Sequence, residues 1–286
     1  MSTIKVGAYA TRLATARASR LGVRLGDHEL IDVPVTPAGE TGGLRAALLA
    51  GEVDLIVHAC ETLPVEAAAG IRIAAYPKRG DARDALCTVD GSTLDDLPEG
   101  ARVGTDSALR RAELLAARPD LDIVHLGGEA AAHLDRLTAA ADDDRLDAVI
   151  VSVADLELLG ESTKGVRLDR SDWPTAPGQG ALAVEVRTDA PREVVRRVEA
   201  LDHRTTRLTT SAERGVLAEL GVEAASAVGA IALLDDGLLF LTASVYALDG
   251  SSSRTSSHAA YPEDTADPAA ELAGRVAKEL LELGVV

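Results

Sequence analysis

Residues 104–110 read Gly-Thr-Asp-Ser-Ala-Leu-Arg, and three of their side chains could do chemistry on an anion. The hydroxyls of Thr105 and Ser107 and the guanidinium of Arg110 together suit one carboxylate, because an arginine fork donates parallel hydrogen bonds to such a group. Asp106 stands among them with a charge of the wrong sign. A second segment, residues 176–185, carries Gln179 between Gly178 and Gly180. Its glycines permit the tight backbone of a turn where the chain crosses between domains. His58 reads as a strand-end histidine satisfied by hydrogen bonds, with the Glu61 carboxylate close behind it. Cys60 and Cys87 are the chain's two thiols, too few for a disulfide framework, and both are expected to be buried. The six histidines are scattered, so no metal site is expected.

These groups need elements to hold them. Apolar patterning predicts strands over 4–8, 28–35, 55–58 and 71–76, with helices over 12–25 and 43–51. A turn-rich stretch at 94–100 opens a second set: strands 102–104, 123–126 and 148–151, helices 108–117 and 130–141. Residues 172–180, rich in Pro and Gly, carry the chain back. A strand over 181–187 and helices over 192–201 and 205–220 follow. The tail changes character, with antiparallel strands 230–234, 238–245 and 255–260 around Asp235-Asp236-Gly237 and Asp249-Gly250 turns. A last helix, 269–283, starts after Pro268 and ends at Gly284. The expected fold class is α/β with three domains, two α/β lobes and a small α+β C-terminal domain. The expected limits are 1–95 with 182–202 for the first lobe, 96–181 for the second, and 203–286 for the last domain.

The chain has 46 acidic against 29 basic residues, a formal net charge of −17 over 286 residues. Such a field repels phosphate backbones and anionic lipid, so neither nucleic acid nor membrane is an expected partner. No apolar run reaches the length of a membrane span. The first residues lack a basic start and an apolar stretch, so a cytoplasmic location is expected.

Several segments, in order, carry a family resemblance. Residues 47–64 hold Ala-Leu-Leu-Ala-Gly-Glu-Val-Asp-Leu-Ile-Val-His-Ala-Cys-Glu-Thr-Leu-Pro, and residues 79–86 hold Arg-Gly-Asp-Ala-Arg-Asp-Ala-Leu. Residues 100–121 supply a strand, a Gly-Thr loop and an arginine-bearing helix. Residues 176–185, Ala-Pro-Gly-Gln-Gly-Ala-Leu-Ala-Val-Glu, and 210–214, Thr-Ser-Ala-Glu-Arg, complete the set. Together they resemble the hydroxymethylbilane synthase (porphobilinogen deaminase) family of tetrapyrrole biosynthesis along nearly the whole chain. The resemblance implies two lobes like those of periplasmic binding proteins, a third small domain, a cleft between the lobes and a monomer.

The implied reaction condenses porphobilinogen head to tail with release of ammonia. It needs arginines for the acetate and propionate groups, a carboxylate beside the pyrrole nitrogens, and a thiol that anchors a dipyrromethane primer. At the matching positions the anchor cysteine is Ala224, the catalytic aspartate is Thr62, and family arginines are replaced by Tyr9, Leu109, Gly127 and His133. No catalytic residue and no attached cofactor are therefore expected. Glu61 and His133 remain as possible substitutes for lost groups. The resemblance leaves Thr11, Thr105, Ser107, Arg110, Gly128 and Gln179 as ligand-binding candidates, with a small anionic ligand as the expected partner. These substitutions favour a pseudoenzyme over two open alternatives, an active enzyme with an atypical site and a repurposed enzyme or binding protein for a small carboxylate.

Overall fold

The computed structural model describes residues 3–36, 39–140 and 144–284. In chain order the strands are β1 Ile4–Ala8, β2 His28–Asp32, β3 Leu55–Ala59, β4 Ile71–Ala75, β5 Asp84–Thr88, β6 Arg102–Thr105, β7 Asp122–His125, β8 Ala148–Ser152, β9 Val166–Arg167, β10 Leu182–Arg187, β11 Val228–Asp235, β12 Leu238–Tyr246 and β13 Ser253–Ala260. The helices are α1 Arg12–Leu25, α2 Gly39–Leu49, α3 Ala108–Ala117, α4 Ala130–Asp135, α5 Val153–Leu159, α6 Arg192–Glu199, α7 Arg204–Leu220 and α8 Pro268–Glu282. The fold is mixed α/β. It divides into two compact units, Met1–Gly80 with Ala181–Arg207, and Asp81–Gly180 with Leu208–Val286.

The first unit is built on a sheet ordered β2-β1-β3-β10-β4. β1 runs parallel to β2 and β3, and β10 pairs antiparallel with β3 and β4. Every residue of β3 is buried, as a central strand covered on both faces must be. Ile4, Val6, Leu55, Val57, Val184 and Val186 pack on one face with Leu21 and Leu25 of α1 and Val194 and Val198 of α6. Leu44, Leu48, Val53 and Ile56 form the second layer with Tyr9 and Val33. The Thr11 hydroxyl caps α1 by accepting the Ala14 N–H at 3.2 Å.

The second unit contains a sheet ordered β7-β6-β8-β5-β9, with β6 parallel to β7 and β8 and β5 antiparallel to β8 and β9. Leu86, Val103, Leu114, Ile150 and the chain's single tryptophan, Trp173, fill its core. The same unit holds the antiparallel sheet β11-β12-β13, on which α8 packs. Asp236 and Gly237 both take positive φ, 46° and 81°, which is the geometry of a two-residue hairpin turn. Buried Glu213 of α7 accepts the Gly178 N–H at 2.7 Å and the Ala232 N–H at 2.9 Å, tying the glycine-rich turn to β11. Gly180 ends that turn at φ 76°, where an added Cβ would stand 2.9 Å from the Asp81 carbonyl oxygen, so only glycine fits.

The structure shifts several expected elements. β2 stops at Asp32 rather than 35, and α2 begins at Gly39 rather than 43. The helix expected over 130–141 ends at Asp135 and becomes a 3-10 turn, Arg136–Thr138; residue 141 lies outside the described residues. β5 belongs to the second sheet, so the chain crosses between units at Gly80 rather than in the turn at 94–100. Both thiols are buried, Cys60 after β3 and Cys87 on β5, and burial pushes the Cys87 pKa up to about 11. No helix among the described residues is long and apolar enough to cross a membrane.

Candidate functional site

Asp84, the first residue of β5, is 1% exposed and collects four hydrogen bonds from three side chains. Arg110 donates through Nε at 3.1 Å and Nη2 at 2.8 Å, Trp173 through Nε1 at 3.2 Å, and Gln179 through Nε2 at 2.8 Å. Gln179 also donates to the Ala82 carbonyl at 2.8 Å and accepts from Arg110 Nη2 at 3.3 Å. Burial alone would lower the Arg110 pKa, but the carboxylates of Asp84 and Asp106 outweigh it and hold the guanidinium charged. This is a closed polar network in which each charge has its partner.

Arg110 and Gln179 are thus brought together, with Thr105 and Ser107 on the loop that leads into α3, but the side chains of all four are engaged within the protein. The Thr105 hydroxyl accepts the Ser107 N–H at 3.1 Å. The Ser107 hydroxyl accepts the Arg110 N–H at 3.3 Å, capping α3. Gly128 sits at φ 89° in the loop before α4. Thr11 belongs to the first unit, where it caps α1. Thr62 donates its hydroxyl to the Ala59 carbonyl at 3.0 Å, so its oxygen serves a local turn. Ala224 lies half-buried in a turn after α7. Where the resemblance places arginines, Tyr9, Leu109 and His133 are each no more than 3% exposed. Their side chains are packed inside rather than presented to a ligand.

Sequence reasoning passed over four buried groups. Asp84 lay inside a matched motif without a role, and Trp173 carried a signal only as the sole tryptophan. Glu113, on α3, is 3% exposed, and neither carboxyl oxygen has a hydrogen-bond partner among the described residues. Burial, reinforced by the Asp84 charge and opposed by Arg110, pushes its pKa up to about 10. Glu185 on β10 is the fourth, and it meets Arg45 in a fork of 2.6 and 3.0 Å and His58 Nε2 at 3.2 Å.

Burial would raise the Glu185 pKa, yet His58 and Arg45 overcome it and bring it down to about 2. Such a group contributes stability that is complete above its unfolded value of 4.5 and is lost as pH falls toward 2. Glu185→Gln is expected to cost about 2–3 kcal/mol at pH 7 and to flatten the acid limb of stability against pH. Urea midpoints measured from pH 2 to 7 check this; parallel curves for both proteins would contradict it.

His133 on α4 is buried, and its Nε2 has no hydrogen-bond partner among the described residues. Burial lowers its pKa, against the opposing pull of Asp106. Among the described residues no group of three or more His, Cys, Asp or Glu could hold a metal ion.

Comparison with known proteins places these features. The family model for porphobilinogen deaminase, dipyromethane cofactor binding domain, matches residues 4–196. The porphobilinogen deaminase of Leifsonia xyli is 42% identical over 98% of this chain and 92% of its own length. That of Micrococcus luteus is 38% identical over 88% of this chain and 80% of its own. Among solved structures, the methionine binding protein MetQ covers 68% of this chain and 89% of its own at a TM-score of 0.45 and 17% identity. The matched domain corrects the expectation of no cofactor, since the family to which it points binds dipyrromethane. Ala224 is half-buried, and both thiols of the chain are buried elsewhere. With a matched domain over two thirds of its length and relatives that align along nearly all of it, this chain belongs to the porphobilinogen deaminase family.

Proposed function

We propose that this chain is a porphobilinogen deaminase family protein that no longer polymerises porphobilinogen. The observation that carries the reading is the burial of Tyr9, Leu109 and His133 at positions where the family resemblance expects arginines. A chain of pyrroles bearing acetate and propionate groups accumulates negative charge with every condensation. Without those guanidiniums, and within a protein of net charge −17, that charge has little to balance it. The remaining loop arginine, Arg110, is already bonded to Asp84 and Gln179. Thr62 supplies no ionisable group to steady a cationic pyrrole or to move its protons. The same net charge supports a protein that contacts neither nucleic acid nor anionic membrane.

Incubation of the purified protein with porphobilinogen tests the proposal through ammonia release and an acid–aldehyde colour reaction for linear tetrapyrrole. Neither signal is expected. The double variant Ala224→Cys/Thr62→Asp is also expected to stay silent, because the arginine positions remain packed. Turnover by the unmodified protein would sink the proposal, and turnover by the double variant alone would shift the cause of the loss from the arginines to the thiol and the acid.

A further inference from the structure

The first unit carries positive charge that the sign of the whole chain conceals. It holds 15 basic and 13 acidic residues, whereas the second unit holds 14 and 33. Within the first unit the positive charge gathers on one helical layer. α1 and α6 contain seven of the chain's 29 basic residues, all arginine, and two of its 46 acidic ones, Glu193 and Glu199. Both helices press their apolar sides onto the same sheet face, through Leu21 and Leu25, and Val194 and Val198. Arg197 of α6 fastens them together, donating from Nε to the Leu25 carbonyl at 3.0 Å and from Nη2 to the Asp27 carbonyl at 2.8 Å.

The opposite sides of the two helices face solvent. Arg12, Arg20 and Arg24 of α1 and Arg192 and Arg196 of α6 are exposed, and none enters an ion pair among the described residues. Glu199 does not offset them, because it is paired with Arg72 at 3.0 Å. Helical geometry places Arg12, Arg20 and Arg24 within about 120° of the α1 circumference, with Val23, 86% exposed, among them. Arg20 and Arg24 stand four residues apart, as do Arg192 and Arg196, which is about 6 Å along each axis.

Sign, spacing and the exposed valine decide what such a face accepts. One exposed arginine–carboxylate pair contributes little, so a docking face needs several in register. Side chains two residues apart on an extended chain recur every 6–7 Å or so, roughly the interval of these arginines, and each guanidinium fork matches one carboxylate. A long polyanion fits less well. Outside the two helices the chain carries 22 basic against 44 acidic residues, a field that repels an extended nucleic acid or an anionic bilayer. A short segment held on the face is spared most of it, because charges more than about 8 Å away are screened at physiological salt. Val23 adds an apolar contact that the carbon stem of a glutamate can meet and a phosphate backbone cannot.

We propose that the solvent side of α1 and α6 is a docking surface for an acidic segment of a partner protein, whose carboxylates are taken by Arg20, Arg24, Arg192 and Arg196. The proposal goes beyond the loss of polymerisation and does not depend on it, because none of these arginines is a ligand candidate for pyrroles.

A fluorescein-labelled peptide of alternating Glu and Ala is titrated with the full-length protein at several salt concentrations and followed by fluorescence anisotropy. Saturable binding that weakens as salt rises is expected, with none for a peptide of alternating Lys and Ala. Two variants with the same change in net charge are compared, Arg20→Glu/Arg24→Glu on the face and Arg254→Glu/Lys278→Glu in the second unit. The first is expected to lose about ten-fold in affinity and the second less than about two-fold, with the circular dichroism of both matching the unmodified protein. Arg192→Gln/Arg196→Gln on α6 is expected to weaken binding as well. Absence of saturable binding by the acidic peptide overturns the proposal, as do equal losses in the two charge-matched variants or an unchanged affinity in the α6 variant. Tighter binding of oligothymidylate or of phosphatidylserine vesicles than of the peptide would assign the face to a phosphate ligand and overturn it too.

Discussion

Glu113→Gln makes the protein more stable, and the gain grows with pH. In the folded protein Glu113 keeps its proton up to about pH 10, whereas in the unfolded chain it releases it near the ordinary value of 4.5. Folding in the interval must take up a proton. The group therefore costs stability that increases as pH rises from 4.5 toward 10, at most about 1.4 kcal/mol per pH unit, and costs nothing of this kind below 4.5. Glutamine has the same shape without the charge. The expected gain is about 1–3 kcal/mol at pH 8, discounted for local relaxation, and close to zero at pH 4. In a chain of this size each kcal/mol moves Tm by about 2–4 °C. Tyr246 on β12 feels the same carboxyl, and its pKa stands at about 12 from burial first and Glu113 second. Thermal melts of both proteins from pH 4 to 9 check the prediction; a constant offset would mean that Glu113 is ionised in the folded state.

Asp84→Asn acts in the opposite direction and more strongly. The aspartate is the common acceptor of Arg110, Trp173 and Gln179, and it is almost wholly enclosed. Asparagine can replace one acceptor oxygen but not the charge, so the guanidinium loses its buried counter-ion and keeps only the half-exposed Asp106 at 3.4 Å. Removing one partner of a buried pair costs about 3–5 kcal/mol. Removing both, in Asp84→Asn/Arg110→Met, is expected to cost less than the sum of the single changes, because no uncompensated charge remains. Urea unfolding of the four proteins measures the coupling directly. A single-variant loss below about 1 kcal/mol would show that water reaches the pair and screens it.

The contrast between these two carboxylates explains what was legible in the sequence. The elements with strong local signals stand where the patterning places them. α1 has its Thr11 cap and Gly26 stop, α8 its Asp267 cap and Pro268 start, and the β11–β12 hairpin its Asp236-Gly237 turn. β9, two residues long, and α5, seven, are too short for either period to register. Asp84 could not be read as a hub because its partners lie 26, 89 and 95 positions away. The family resemblance put Arg110 and Gln179 separately among the ligand candidates, and it takes the fold to show them bonded to one another. Glu113 reads from sequence as an ordinary helical surface residue, and its burial emerges only once α3 is packed on β7 and β12.

The burial of Cys60 and Cys87 has a use. They are the chain's two sulfhydryls, both are enclosed, and the Cys87 thiol with its pKa near 11 is almost entirely protonated at neutral pH. Alkylating reagents act on the thiolate of an accessible sulfur, so the native surface offers them nothing. A cysteine introduced at Ala224 would then be a solitary address on that surface. A maleimide dye or a spin label could be placed in the turn after α7 in one step, without first clearing competing thiols from the chain.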